Sequence, residues 1–116
     1  MAYDEKLASR MVDIISTKTD FDQKMMFGGV CFMVDEKMCV GVVKHEIMAR
    51  IDPAKEAKAM AKTGCREMDF TGRKMKGFVM VSSEGIKSKK QLEYYIDLAL
   101  EYNTIAQKSK KKKKAS

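Results

Sequence analysis

Residues 25–34, MMFGGVCFMV, form an apolar run that two adjacent glycines interrupt. A phosphate-binding loop needs glycines that lead from a strand straight into a helix, so that backbone amides converge on the anion. Gly28 and Gly29 lead instead into VCFMV, which has the composition of a strand, and no lysine followed by serine or threonine lies at the spacing of such a loop. Glycine inside a strand is typical of a bulge or of a close approach of another backbone. The pair is therefore predicted to bend one buried strand that covers the whole run.

The residues on either side of this strand predict four more strands and three helices. Helical spacing of apolar residues marks the helices, while alternating or continuous apolar runs mark the strands. The predicted helices cover residues 4–17, residues 53–62 and a segment that starts after residue 88, and the predicted strands cover 25–34, 38–43, 46–51, 65–70 and 77–82. Short connections imply antiparallel pairing, and helices kept to one side of the sheet imply an α+β domain. The predicted fold is an antiparallel sheet of about five strands with the order α-β-β-β-α-β-β-α.

Polar residues at the predicted helix starts support these assignments. Asp4 is placed to accept hydrogen bonds from the free backbone amides of the first helix. Asp52 followed by Pro53 is a strong start signal, because proline at the first helical position loses no hydrogen bond. Ser88 and Gln91 have the spacing of a capping box, in which each side chain bonds the backbone of the other residue. Each helix is therefore predicted to begin at a residue that the sequence identifies.

The net charge of +7 is concentrated in the segment KSKKKKKAS, residues 108–116, which has six lysines and no acid. A run of like charges buries no apolar surface, so residues 1–107 are predicted to form one folded domain and residues 108–116 a disordered tail. A lysine run attracts nucleic acid and other polyanions through salt-dependent contacts that carry little sequence information. The candidate residues for such binding are Lys110, Lys111, Lys112, Lys113 and Lys114. A purely solubilising tail is the alternative.

Other features of the composition favour a cytoplasmic protein that uses no metal or cofactor. No run approaches the roughly 20 apolar residues that a membrane span needs, and the amino-terminal residues lack the layout of a secretory signal. Three cysteines without a CxxC spacing fit a reduced compartment. Cys31, Cys39, Cys65 and the only histidine, His45, lack the paired short spacings of structural zinc, so the cysteines are expected to be small buried hydrophobes.

The sequence offers no catalytic constellation, so the chain is not expected to be an enzyme. General acid–base catalysis needs a titratable group held near the reacting atoms, and the single histidine, His45, falls in a predicted hairpin turn. His45 is therefore expected to be an exposed turn residue. A cysteine nucleophile stays open as an alternative, although no partner base is placed for it.

Two motifs resemble the amino-terminal domain of the TfoX family, over about residues 7–105. Members carry a Met-Phe-Gly-Gly strand and, some forty residues later, a segment with aspartate, phenylalanine, arginine and glycine at fixed spacing. The matching positions here are Met26, Phe27, Gly28 and Gly29, followed by Asp69, Phe70, Arg73 and Gly77. Either motif alone is weak, whereas the two together at this separation are fairly specific.

The resemblance implies a curved antiparallel sheet flanked by helices, similar to the secretion-chaperone-like architecture. It also implies a role in transcription, because some members regulate competence for DNA uptake and act with the cyclic-AMP receptor protein at promoters. The longer regulators continue into a second, helical domain, so this chain resembles a single-domain member. The expected partner is a protein of the transcription machinery, and a homodimer stays open.

Two features are candidates for recognition of a partner. The segment TGRKMKG, residues 71–77, is predicted to be a loop in which Arg73, Lys74 and Lys76 contact a partner, for example through a forked guanidinium contact. The alternative is that Arg73 pairs with Asp69 and stabilises the hairpin. The eleven methionines either line an adaptable partner surface or fill gaps in the core.

Three functions follow from these observations. The first is a non-enzymatic domain that binds a protein partner. The second is direct, non-specific nucleic-acid binding through residues 53–92, which have ten basic and four acidic side chains, together with the tail. The third is a small enzyme or ligand binder with a pocket at the glycine pair.

Overall fold

The computed structural model describes residues 3–26, 28–70 and 73–105, without the side chains of residues 26, 68–70 and 73–76. The described part contains three α-helices, six strands and two short 3-10 turns. The helices are α1 (Glu5–Ile15), α2 (Glu56–Met60) and α3 (Lys89–Asn103), and the 3-10 turns are Pro53–Lys55 and Ser83–Gly85. The strands are β1 (Asp22–Met26), β2 (Gly29–Val34), β3 (Lys37–Val43), β4 (Glu46–Arg50), β5 (Cys65–Phe70) and β6 (Arg73–Val81).

The strands form one open sheet in the order β1-β2-β3-β4-β6-β5, and every neighbouring pair is antiparallel. Strands β1 to β4 are joined by short turns and pair in sequence order. The chain then leaves the sheet through α2 and returns as β5 at the far edge, so that β6 pairs with β4. The predicted α+β class is confirmed, with six strands instead of about five.

The prediction of one bent strand over residues 25–34 is wrong, because the glycine pair lies at a hairpin turn. Strand β1 ends at Met26, β2 begins at Gly29, and these two residues pair with each other. Gly28 has a φ of +76°, a conformation that glycine adopts without the steric cost that a Cβ imposes. Strand β1 begins at Asp22, where polar residues at an exposed sheet edge give no apolar pattern to recognise.

The exclusion of a phosphate-binding loop is confirmed by the position of Gly29. This residue is the first residue of β2, and a Cβ built on it would overlap the carbonyl oxygen of Val42 in β3. Close approach of another backbone was one of the two reasons that the sequence suggested for the pair. Gly28 and Gly29 therefore serve a turn and a strand contact respectively.

The three helices pack against one face of the sheet and form the main core. Strand residues on this face alternate along each strand and are almost fully buried. Examples are Val30 and Phe32 in β2, Val40 and Val42 in β3, Ile47 and Ala49 in β4, and Val79 and Val81 in β6. The helices contribute Leu7, Met11, Ile14 and Ile15 from α1, Ala59 from α2, and Leu92, Tyr95, Ile96 and Ala99 from α3.

The predicted caps lie at the helix starts. The carboxylate of Asp4 accepts hydrogen bonds from the backbone amides of Lys6 and Leu7, and Ser88 with Gln91 forms the full capping box. Asp52 caps the 3-10 turn that precedes α2, so the predicted helix over 53–62 is reduced to the five residues of α2. Within the described ranges, no helix combines the length and the apolar composition that a membrane span requires.

Candidate protein-binding face

A second apolar cluster covers the sheet face opposite the helices, and we call it the methionine face. Its members are Cys31, Met33, Met38, Val43, Met48, Phe78 and Met80. All of them belong to β2, β3, β4 or β6, and no residue of a described helix belongs to the cluster. Cys31 and Met48 at its centre are fully buried, whereas Met33, Val43, Phe78 and Met80 around them are half-buried.

The methionine face arises from strand alternation, which sends neighbouring side chains to opposite sides of the sheet. In β4, Ile47 and Ala49 face the helices, while Met48 between them faces away. Met48 pairs with Met80 of β6 and with Gly41 of β3. A Cβ on Gly41 would lie 2.7 Å from the terminal methyl of Met48, so this glycine makes room for the methionine. Methionines therefore lie on both faces of the sheet, since Met11 fills the helix-side core, and their use as a partner surface stays a prediction.

Arg50 is a charged residue at the edge of the methionine face. It pairs with Phe78 across β4 and β6, which places both side chains on the same side of the sheet. The guanidinium carbon of Arg50 lies 5.8 Å from the ring centroid of Phe78 and 5.6 Å from that of Tyr102 in the last turn of α3. Both distances lie within the range of a cation–π interaction. Sequence reasoning missed Arg50, because only the strand pairing and the end of α3 bring these aromatic rings to it.

The three cysteines are buried and unreactive in character. Cys31 lies on the methionine face, while Cys39 and Cys65 lie in the helix-side core. Burial raises the pKa of the Cys31 thiol to about 11 and that of Cys39 to about 12. Burial also raises the pKa of Cys65. A thiol nucleophile requires a lowered pKa, so these environments oppose the cysteine-nucleophile alternative.

His45 is an exposed turn residue, as predicted. It lies in the turn between β3 and β4, and its side chain is 81% exposed. Its Nδ1 lies 3.2 Å from the Oδ2 of Asp4, the residue that caps α1. The described residues contain no group of three or more histidine, cysteine, aspartate and glutamate side chains that is suited to a metal ion.

The predicted contact residues Arg73, Lys74 and Lys76 lie on β6 instead of in a loop. Strand β6 begins at Arg73, which pairs with Phe70, and Lys74 pairs with Asp69. The loop prediction is wrong because hairpin pairing with β5 extends the strand through a polar segment. The side chains of these residues lie outside the described part, so the predicted partner contact and the predicted Arg73–Asp69 pair both stay predictions.

Of the other predicted motif and tail residues, some are described by the structure and others lie outside the described residues. Gly77 has a φ of +83°. Its carbonyl accepts a hydrogen bond from the amide of Ile51, so Gly77 connects β6 to the residue that follows β4. Phe27 lies outside the described residues. So does the whole lysine tail, with Lys110, Lys111, Lys112, Lys113 and Lys114.

The basic residues of segment 53–92 are partly neutralised. Lys55 pairs with Glu101 at 2.7 Å, and Arg66 pairs with Glu46 at 2.8 Å. Lys62 and Lys90, which are distant in the sequence, line one surface groove of about 470 Å³ beside Tyr94, Tyr95 and Gln91. The ammonium of Lys62 lies 4.7 Å from the centroid of the Tyr94 ring.

Comparison with known proteins agrees with the motifs and the fold. The family model of the TfoX N-terminal domain matches residues 13–102, which is most of the chain. No curated protein and no solved structure gives a significant match. Because the family match covers the whole sheet, all of α2, most of α3 and the last three residues of α1, the chain belongs to the TfoX N-terminal domain family.

Proposed function

We propose that this chain is a non-enzymatic protein-binding domain and that the methionine face is its contact surface. The observation that carries the proposal is the half-buried apolar set Met33, Val43, Phe78 and Met80 on a sheet face to which no described helix contributes. Contiguous apolar surface of this kind is typical of sites that bind another protein. Methionine suits such a surface, because its unbranched, polarizable side chain adapts to partners of different shape.

The identity of the partner class comes from the family. TfoX-type regulators act in competence and transcription, so we propose a cytoplasmic partner from the transcription machinery. A non-enzymatic role is supported by the buried thiols with raised pKa values and by the exposed position of His45.

A photocrosslinking amino acid placed at Met33 tests this proposal. Met25 is the matched control, because it is also a strand methionine, is 66% exposed and pairs with Val30 on the helix side of the sheet. We expect a discrete crosslinked protein from position 33 in cells and none from position 25. Equal products from the two positions, or none from position 33 in a folded variant, would contradict the proposal.

Nucleic-acid binding is the second candidate, and one observation favours it. Lys62 and Lys90 converge on one groove beside Tyr94, which gives two cations and an aromatic ring in one place. Cationic grooves with aromatic rings are a common arrangement for single-stranded nucleic acid. Together with the lysine tail, this groove would supply a salt-dependent contact with phosphates.

A further inference from the structure

We propose that Arg50, held by Phe78 and Tyr102, is a receptor for a carboxylate, and that the methionine face binds a partner segment that combines an acidic residue with apolar residues. This inference rests on the proposed function, because it specifies the partner chemistry of the same surface. The juxtaposition that carries it is a cation that makes no hydrogen bond or ion pair with a described residue and lies beside a half-buried apolar patch.

Arg50 differs from the other arginines whose side chains are described. Arg10 donates hydrogen bonds to the backbone carbonyls of Ile86 and Lys87 at 2.9 and 3.2 Å. Arg66 makes a forked contact with both carboxylate oxygens of Glu46, at 2.8 and 3.2 Å. The structure gives Arg50 no hydrogen bond or ion pair to a described residue, and its contacts are the two aromatic rings.

The aromatic contacts make Arg50 suitable for recognition. A guanidinium attracted by ring faces is restricted in position, while its N–H groups stay available for an oxyanion. Two parallel N–H donors match the two oxygens of a carboxylate, and such charge-assisted pairs are among the stronger hydrogen bonds in proteins. Holding the cation in place before binding lowers the entropy lost when a partner docks.

The surroundings of Arg50 define the rest of the ligand. Met48, two residues earlier in β4, lies on the same face, and Met80 pairs with it across the strands. A free inorganic anion would contact only the guanidinium, whereas an acidic residue flanked by apolar side chains also covers the methionines. At the other end of β4, Glu46 and Arg66 neutralise each other, so they provide no competing charge for the ligand.

Charge complementarity favours a partner protein over the lysine tail of the same chain. Residues 108–116 carry six lysines and no acidic side chain, so they repel Arg50 and offer no apolar side chain larger than alanine to the methionines. The occupant is therefore expected to be an acidic and apolar segment of another protein.

The test uses random short peptides displayed on phage and selected on the full chain. Enriched peptides are synthesised, and their affinities are measured for the wild type and for Arg50→Lys, which keeps the charge but loses the planar fork. We expect an acidic residue beside apolar residues in the peptides, and at least about a tenfold weaker affinity for Arg50→Lys. Arg66→Lys is the matched control, and we expect it to change the affinity by less than about twofold.

Further variants separate the inference from the proposed function. Replacement of the acidic residue of the peptide by its amide is expected to weaken binding to the wild type more than binding to Arg50→Lys, because the lysine keeps the charge but not the forked contact. If binding is lost in Met80→Glu yet unaffected by Arg50→Lys, the methionine face binds partners without a carboxylate receptor, and only the inference is overturned. If no peptide is enriched, or if neither substitution affects binding, both fail. A concentration-dependent dimer that Arg50→Lys abolishes would assign the carboxylate to a second copy and overturn the partner-protein assignment.

Discussion

Gly28 and Gly29 are adjacent residues with different physical requirements. Gly28 has a positive φ, and a Cβ on it would meet no atom within 4 Å. Gly29 has an ordinary strand conformation, but a Cβ on it would overlap the backbone of Val42 and lie 3.1 Å from the Cα of Val43. The first glycine is required by the turn and the second by the spacing of two strands.

Alanine substitutions are expected to distinguish these two requirements. Gly28→Ala should lower the free energy of unfolding by about 1 to 2 kcal/mol, because a Cβ is disfavoured in the left-handed region. Gly29→Ala should lower it by at least about 3 kcal/mol, because β2 and β3 cannot separate without disturbing their pairing. Urea denaturation followed by circular dichroism measures both values. Gly28→Asn is the control and should lose less than Gly28→Ala, and equal losses for the two alanine variants would contradict this account.

The contact partners of individual residues could not all be predicted from the sequence. The glycine pair is conspicuous in the sequence, whereas the sequence does not show which partners Arg10, Arg50 and Arg66 contact. Each of the three arginines has at least one apolar neighbour in the chain. Their difference comes from distant partners, which are carbonyls, a carboxylate and aromatic rings respectively.

The start of α1 is attached to the turn between β3 and β4. The amide of Asp4 donates to the carbonyl of Lys44 at 2.7 Å, and the carboxylate of Asp4 lies beside His45 of the same turn. The hydrogen bond from the Leu7 amide, followed by that from His45, lowers the pKa of Asp4 below its ordinary value of 3.8. One side chain thus caps the helix and connects it to the sheet.

A pH-dependent contribution to stability follows from this arrangement. A carboxyl group with a lowered pKa stabilises the fold above its unfolded-state pKa, and the contribution is lost as the pH falls through the folded-state value. Asp4→Asn should therefore reduce the stability at neutral pH, by about 1 kcal/mol or less for a partly exposed cap. The difference from the wild type should shrink below pH 3.8, where the carboxyl group becomes protonated.

Urea midpoints of the wild type and Asp4→Asn across this pH range measure the effect. Asp13→Asn is the control, because Asp13 is an exposed acidic residue in the third turn of the same helix and is not its N-cap. A difference that stays constant from neutral pH to well below pH 3.8 would contradict the assignment to Asp4 ionisation.

At the scale of the whole molecule, the largest run of positive charge in the sequence lies outside the segments that form the methionine face. The lysine tail covers residues 108–116, while the methionine face lies on the sheet and the Lys62–Lys90 groove lies beside α3. Protein binding and nucleic-acid binding are therefore separable by variants that affect one region at a time.

A salt titration of DNA binding with and without residues 108–116 makes that separation. If the domain binds proteins and the tail alone attracts polyanions, the full chain should bind DNA with an affinity that falls steeply with salt, and truncation should abolish binding. Fluorescence anisotropy of a labelled duplex and a labelled single strand measures this. The double variant Lys62→Glu, Lys90→Glu in the full chain is the control. Binding that is retained after truncation and is removed by the same two substitutions in the truncated chain would favour the groove instead.

The helix starts and the fold class were predictable from the sequence, because they depend on neighbours in the chain. Asp4, Asp52 and Ser88 cap through residues two or three positions away, and apolar periodicity acts over one or two turns. Strand β1 and the start of β6 were not predictable in this way. Their polar residues are held as strands by pairing with β2 and β5, which overrides weak local preference.

The amino-acid sequence alone thus defined an α+β domain, the capping residues of its helical segments and two motifs of the TfoX N-terminal domain family. The position of the glycine turn, the methionine face and the aromatic contacts of Arg50 depended on the three-dimensional fold. The physical reason is the range of the interactions concerned. Capping and periodicity join residues a few positions apart, whereas the pairing of β4 with β6 and the contact of Arg50 with Tyr102 join residues that are distant along the chain.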